Sequence, residues 1–208
     1  MSLAAIARGL LDLLAPPRCA GCDEPLSPSS PAFCEACELL LDPGERVGSA
    51  VSAYLYGGPL ADAVRRLKYG RRTELAPALG AMLAERALEL SGEVDVVVPV
   101  PLHATRLRAR GFNQAALLAS PVARALGVPL ATRELVRLRD TPPQAGLGGA
   151  DRLRNVRGAF VATAAPGGRV LLVDDVRTTG ATLAECAEAL RVAGAEHVLT
   201  LVLARAED

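Results

Sequence analysis

The chain has 208 residues, half of them apolar, and its 23 basic and 23 acidic side chains cancel to a net charge of zero. That length and hydrophobic content can bury one good-sized core plus a small appendage, and no segment points to a membrane. The charge is unevenly spread, because residues 1–48 hold three arginines against seven acids, whereas residues 49–208 hold twenty bases against sixteen acids.

Residues 1–14 are apolar at amphipathic-helix spacing, and Pro16 and Pro17 end that pattern. The segment lacks a basic leader and carries Arg8 and Asp12, so a signal peptide is not expected, nor is membrane insertion. The expected compartment is the reducing cytoplasm, where paired cysteines serve as metal ligands more often than as disulfides. Cys19-Ala-Gly-Cys22 and Cys34-Glu-Ala-Cys37 form two such pairs, eleven residues apart. Each C-x-x-C turn presents two sulfurs to one centre, and two turns complete a tetrahedral four-thiolate zinc site. Such a closed site leaves no position for a catalytic water, so this zinc is expected to be structural. Residues 1–48 thus read as an N-terminal helix and zinc-knuckle module, with a linker near residues 42–48.

From residue 49 onward strands and helices alternate, which predicts an α/β domain with a mostly parallel, helix-flanked sheet over residues 49–208. Strands are predicted at 51–56 and 94–100, and helices at 60–69 and 74–90. A polar loop follows the second strand, then a helix around 113–119, where Pro121 predicts a kink or a fresh helix start. Shorter strands at 133–138 and 159–163 flank a long loop rich in Pro, Gly and Arg. A strand at 169–174, a helix to 192 and a strand at 197–204 close the series.

The most informative stretch runs from Arg169 to Thr182. Val170 to Val173 is a short, unalternating apolar run, as expected of a strand buried on both faces. Asp174 and Asp175 then emerge at its carboxyl end, where open α/β sheets hold ligands. Thr178, Thr179, Gly180, Ala181 and Thr182 follow and open a helix, whose free N–H groups and dipole suit a phosphate. Two carboxylates just before that loop suit vicinal hydroxyls, so together they read as a phosphorylated-ribose site. Arg177 is placed either at the surface or on the ligand's anion. Cys186 falls on the apolar face of the following helix and reads as buried packing. Earlier in the chain, Arg106, Arg108 and Arg110 lie beside Gly111 after the strand at 94–100, in a loop able to grip a diphosphate. His103 reads as structural.

The strand, acidic pair and Thr-Thr-Gly-Ala-Thr loop resemble the signature of type I phosphoribosyltransferases, which bind 5-phosphoribosyl-1-pyrophosphate (PRPP). With Leu-Leu-Ala-Pro-Pro-Arg-Cys-Ala-Gly-Cys22, Val-Pro-Val-Pro-Leu-His103 and Arg-Gly-Phe-Asn-Gln114, the chain resembles the ComF family, the competence-associated branch of that fold. The resemblance implies that Asp174 and Asp175 take the ribose hydroxyls and that residues 178–182 cradle the 5′-phosphate. It assigns Arg106, Arg110, Gly111, Asn113 and Gln114 to the diphosphate-side loop, and Gln144, Arg152 and Asn155 to a mobile loop that closes over the ligand. Lys68, the only lysine beside 22 arginines, matches a family pattern without an assigned role. Magnesium is expected to arrive with PRPP. The resemblance further implies a role in DNA uptake or in processing incoming single-stranded DNA, with a DNA-uptake helicase or other competence proteins as partners. No residue stands out as a general base, and the acceptor pocket is unassigned. Nucleobase salvage, and a non-catalytic nucleic-acid-binding protein that senses PRPP, stand as alternatives.

Overall fold

The computed structural model describes residues 17–27, 32–140, 156–164 and 167–207. A five-stranded sheet runs in the order β1 (Arg46–Val47), β2 (Ala50–Leu55), β7 (His197–Arg205), β6 (Arg169–Arg177), β3 (Val96–Pro99). Only the β1–β2 pair is antiparallel; β2–β7, β7–β6 and β6–β3 are parallel. The predicted α/β architecture with a mostly parallel sheet is therefore the one observed. A second, antiparallel pair joins β4 (Leu135–Arg137) to β5 (Phe160–Ala162).

Six helices accompany these strands among the described residues. They are α1 (Glu35–Glu38), α2 (Gly58–Tyr69), α3 (Ala76–Ala87), α4 (Ala104–Arg110), α5 (Gln114–Leu126) and α6 (Ala181–Val192). Short 3-10 turns, Thr73–Leu75 and Leu88–Leu90, extend α3 at both ends and account for the full span predicted at 74–90.

Side chains alternate across a strand, and β6 distributes its apolar residues accordingly. Leu171 and Val173 join Leu67, Leu79, Leu83, Leu118 and Val122 in a core on the α2, α3 and α5 side. Val170 and Leu172 join Cys186 and Leu190 in a second core against α6. All four strand residues are fully buried, which is why the run shows no polar alternation. The first core also contains Cys19, Ala20, Phe33 and Cys37, so the cysteine knuckle packs on the same helices as the sheet.

Two local expectations are corrected. The polar segment carrying Arg106, Arg108 and Arg110 is a helix rather than a loop: α4 is capped by His103, whose ring accepts from the Thr105 N–H, and stopped by Gly111 at φ 88°. It has no buried residue, so no apolar periodicity betrays it. Pro121 lies inside one continuous helix, α5, and starts no new one. A proline there forfeits one backbone hydrogen bond, but its ring fills the space over Gly80 of α3. A Cβ added at Gly80 would lie 2.8 Å from Pro121 Cγ, so the two helices meet through the missing side chain.

Candidate functional site

The strand β6 runs on through the acidic pair to Arg177, held by β7 as far as Arg177–Arg205, whereas its other neighbour β3 stops opposite Val173. Asp174 and Asp175 thus sit in the strand just beyond that stop, at the carboxyl end of the sheet, rather than past the strand's own end. Being consecutive, they face opposite sides of the sheet. Both are buried, at 9% and 2% exposure. Asp175 points towards α2 and α5: its Oδ1 lies 3.5 Å from Gln114 Nε2, and its Oδ2 is in ion-pair contact with the Lys68 ammonium. Asp174 belongs to the α6 side, and its Oδ1 accepts the Asp175 N–H at 2.8 Å.

This arrangement splits the pair electrostatically. Burial raises the Asp174 carboxyl well above its ordinary range, and the neighbouring Asp175 charge adds to the rise. Burial acts on Asp175 in the same direction, but Lys68, the Asp174 contact and Gln114 outweigh it and hold the group low. Lys68 in turn is pushed down by burial and raised further by Asp175 and Asp174, with a net rise. The surroundings thus favour the charged form at Asp175, with Lys68 as its counter-ion, and oppose ionisation of Asp174.

A cleft of about 350 Å³ opens over the pair, lined among others by Tyr56, Lys68, Arg106, Arg110, Gln114, Arg137, Thr178 and Thr182. Arg110 Nη1 donates to Gln114 Oε1 at 2.5 Å, so Gln114 links that guanidinium to Asp175. Arg106 lies 3.4 Å from Asp140. A nook bordered by Asp174, Arg177, Thr178, Gly180, Ala181 and Thr182 sits over the start of α6. Gly180 holds φ 76°, a left-handed conformation that lets the chain turn from strand to helix with N–H groups facing outward. A somewhat larger hollow, about 440 Å³, lies at the opposite end of the sheet around Arg169 and His197, the first residues of β6 and β7. Parallel sheets place ligands at the other, carboxyl end, so that hollow has no part in the site.

The structure brings together Asp174, Asp175, Thr178, Gly180, Ala181, Thr182, Arg106, Arg110 and Gln114. Thr179 is exposed on the outside of the turn, where its hydroxyl lies 3.4 Å from the Ala181 N–H. Asn113 caps α5 and donates to the Val100 carbonyl at 3.0 Å; with Gly111 it shapes the frame and does not line the cleft. Arg177 borders the phosphate-sized nook. Gln144, Arg152 and Asn155 lie outside the described residues.

Among the cleft residues that escaped sequence reasoning are Arg137 and Tyr69. Arg137 is only 8% exposed, stacks 5.3 Å from the Phe160 ring centre, and has its pKa lowered by burial and by the Arg106 charge. Tyr69 adjoins Lys68 at the end of α2. The singular lysine was a usable signal for Lys68; the arginine-rich composition hid Arg137.

The cysteines form the second constellation. The four sulfurs of Cys19, Cys22, Cys34 and Cys37 lie within 4.8 Å of one another, and none of the four is in a disulfide. Sulfurs about 2.3 Å from a tetrahedral ion stand roughly 3.8 Å apart, and the Cys22–Cys34 pair is at 3.6 Å. Burial would raise Cys19, but the backbone N–H groups of Cys22, Cys34 and Gly21 bring it down to about 6, which favours a thiolate. The set fits one four-coordinate metal ion. Arg66 ties this knuckle to α2 by donating to the Ala20 carbonyl at 2.9 Å and to the Cys19 carbonyl at 3.3 Å.

A family model described as "Phosphoribosyl transferase domain" matches residues 68–208. The chain is 37% identical over 194 residues to the DNA utilization protein YhgH of Salmonella typhimurium (strain LT2), an alignment covering 90% of this chain and 83% of that one. It is 35% identical over 161 residues to Competence protein F of Haemophilus influenzae, covering 73% and 70%. Among solved structures, the glutamine phosphoribosylpyrophosphate amidotransferase of B. subtilis is similar over 60% of this chain and 25% of its own length, at 29% identity and a TM-score of 0.39. The chain belongs to the phosphoribosyl transferase domain family, in its ComF branch. No helix among the described residues is long and apolar enough to cross a membrane.

Proposed function

We propose that the chain binds PRPP in the cleft over Asp174 and Asp175 and acts in the cytoplasm on incoming single-stranded DNA, as the names of its DNA-utilization and competence relatives suggest. One observation carries the reading: a buried acidic pair at the carboxyl end of a parallel sheet, with Lys68, Arg106, Arg110 and Arg137 around it and an N–H-rich helix start beside it. The carboxyl groups suit a ribose diol, the residues 178–182 suit the 5′-phosphate, and the arginines suit the diphosphate.

Asp174 and Asp175 face opposite sides, so they do not converge into a carboxylate cage for a cation. A magnesium ion fits as the companion of the diphosphate, held mainly by its oxygens, where it would neutralise charge. Arg106 and Arg110 would stabilise the charge that develops on a departing diphosphate, and the donors of the nook would hold the phosphate in place. The cysteine knuckle would take zinc as a structural staple.

Calorimetry tests the ribose assignment. Replacing Asp174 and Asp175 together with Asn removes the Asp175 charge and both carboxyl groups from the ribose side and should weaken PRPP binding by about 2–4 kcal/mol. Circular dichroism on the same sample reports whether the chain is folded, and Asp174→Asn alone, which leaves the Lys68–Asp175 pair intact, repeats the test at smaller amplitude. A folded variant with unchanged PRPP affinity removes the assignment.

A further inference from the structure

Beside the cleft lies a second hollow of about 370 Å³, lined by Lys68, Tyr69, Arg71, Arg106, Ala109 and Arg110. It shares Lys68, Tyr69, Arg106 and Arg110 with the cleft, so the two are continuous. Its floor is unusual for a surface. Tyr69 is 75% exposed, although a large aromatic ring gains nothing from facing water. The Arg110 guanidinium lies 5.6 Å from the ring centre, which leaves the rest of the ring open to solvent. Arg71, at φ 54°, donates to the Ala109 carbonyl at 2.7 Å and so fixes the turn after α2 against α4. Arg71 uses one of its five N–H groups in that bond and keeps others for an anion.

We propose that this hollow is a stacking subsite for a nucleotide, with the base on the open face of Tyr69 and the nucleotide's phosphate on Arg71 and Arg110. An aromatic face accepts any base, and flanking guanidinium groups take the backbone charge, which is the combination used to hold single strands without sequence preference. One exposed ring stacks one base, so the subsite holds a mononucleotide or one nucleotide of a strand rather than tracking a long one. Its position as a neighbour of the sugar site rests on the PRPP reading of the cleft; the stacking itself does not.

The chain contains no tryptophan, so Tyr69→Trp introduces a single fluorophore at the subsite, and a stacked base quenches it. Thymidine monophosphate and a short oligothymidylate are titrated separately, with inorganic pyrophosphate as the third arm. Quenching by either nucleotide, absent with pyrophosphate, supports the subsite, and the arm that quenches identifies a free nucleotide or a strand as the source. Val192→Trp, at a position 80% exposed on the far end of α6, should stay unquenched. Tyr69→Ala should weaken binding of the quenching nucleotide by about 5- to 150-fold while Tyr69→Phe retains it. Because Tyr69 also borders the cleft, PRPP affinity is measured by calorimetry on the same Tyr69→Ala chain and should fall by less than the nucleotide affinity does; an equal fall in both would place the ring in the PRPP site and overturn the subsite. No quenching by either nucleotide, or equal quenching by pyrophosphate, overturns the subsite. Quenching by the strand in a chain that fails to bind PRPP would overturn the cleft reading and leave the subsite standing.

Discussion

Asp174 is the residue whose ionisation costs the fold most directly. Its carboxyl is raised in the folded chain by burial and by Asp175, so its contribution is intact below the unfolded value and is lost as pH climbs towards the folded one. The native protein should therefore lose stability with rising pH through this group, and Asp174→Asn, which cannot ionise, should not. The expected outcome is a gap in melting temperature, in favour of the variant, that widens between about pH 5 and about pH 8. A gap that narrows over that interval would mean Asp174 is ionised and paired in the fold. At this scale the sequence was legible where chemistry is contiguous: the acidic pair and residues 178–182 sit in one stretch. It was silent where the partner comes from afar. Lys68 reaches Asp175 from α2 and Arg137 reaches the cleft from β4, contacts that only the tertiary fold creates.

Elements with an apolar signature were readable, and those without one were not. The buried run of β6 and the amphipathic helices α2 and α3 follow from their side-chain spacing. The helix α4 buries nothing and was read as loop, although Gly111 after a basic last turn is an end signal that could have been used. Pro121 was read as a kink or a fresh helix start because proline is disfavoured in a helix interior; the compensating partner, Gly80, stands 41 positions earlier in the chain. That pairing predicts a specific response. Gly80→Val forces a side chain into the Pro121 ring and should destabilise the chain by about 1–3 kcal/mol in urea unfolding. Pro121→Ala in the same chain should recover part of the loss, so the two changes combine to less than their sum. Strict additivity would show that α3 and α5 do not meet there.

Across the whole molecule, the knuckle and the sheet domain are stitched rather than hung together. Cys19 and Cys37 lie in the same core as α2 and α3, Arg72 pairs with Asp23, and the β1–β2 pairing spans the expected boundary at residue 48. A metal chelator should consequently lower the melting temperature of the entire chain in one cooperative transition, and zinc should restore it. Two separate transitions, with the upper one unmoved by chelation, would show that the knuckle unfolds alone. The helix α2 carries the consequence furthest. Arg66 grips the knuckle carbonyls and Lys68, two residues on, meets Asp175. At 3.6 residues per turn those side chains leave the axis roughly 200° apart, so α2 works as an axle with one spoke in the metal knuckle and the other in the cleft. Inserting a single residue between them would swing one spoke away by about 100°, and the knuckle could then be seated or the acidic pair neutralised, but not both. The two parts are thereby geared to each other, and a transplant of the cleft into another scaffold would have to carry the cysteines with it.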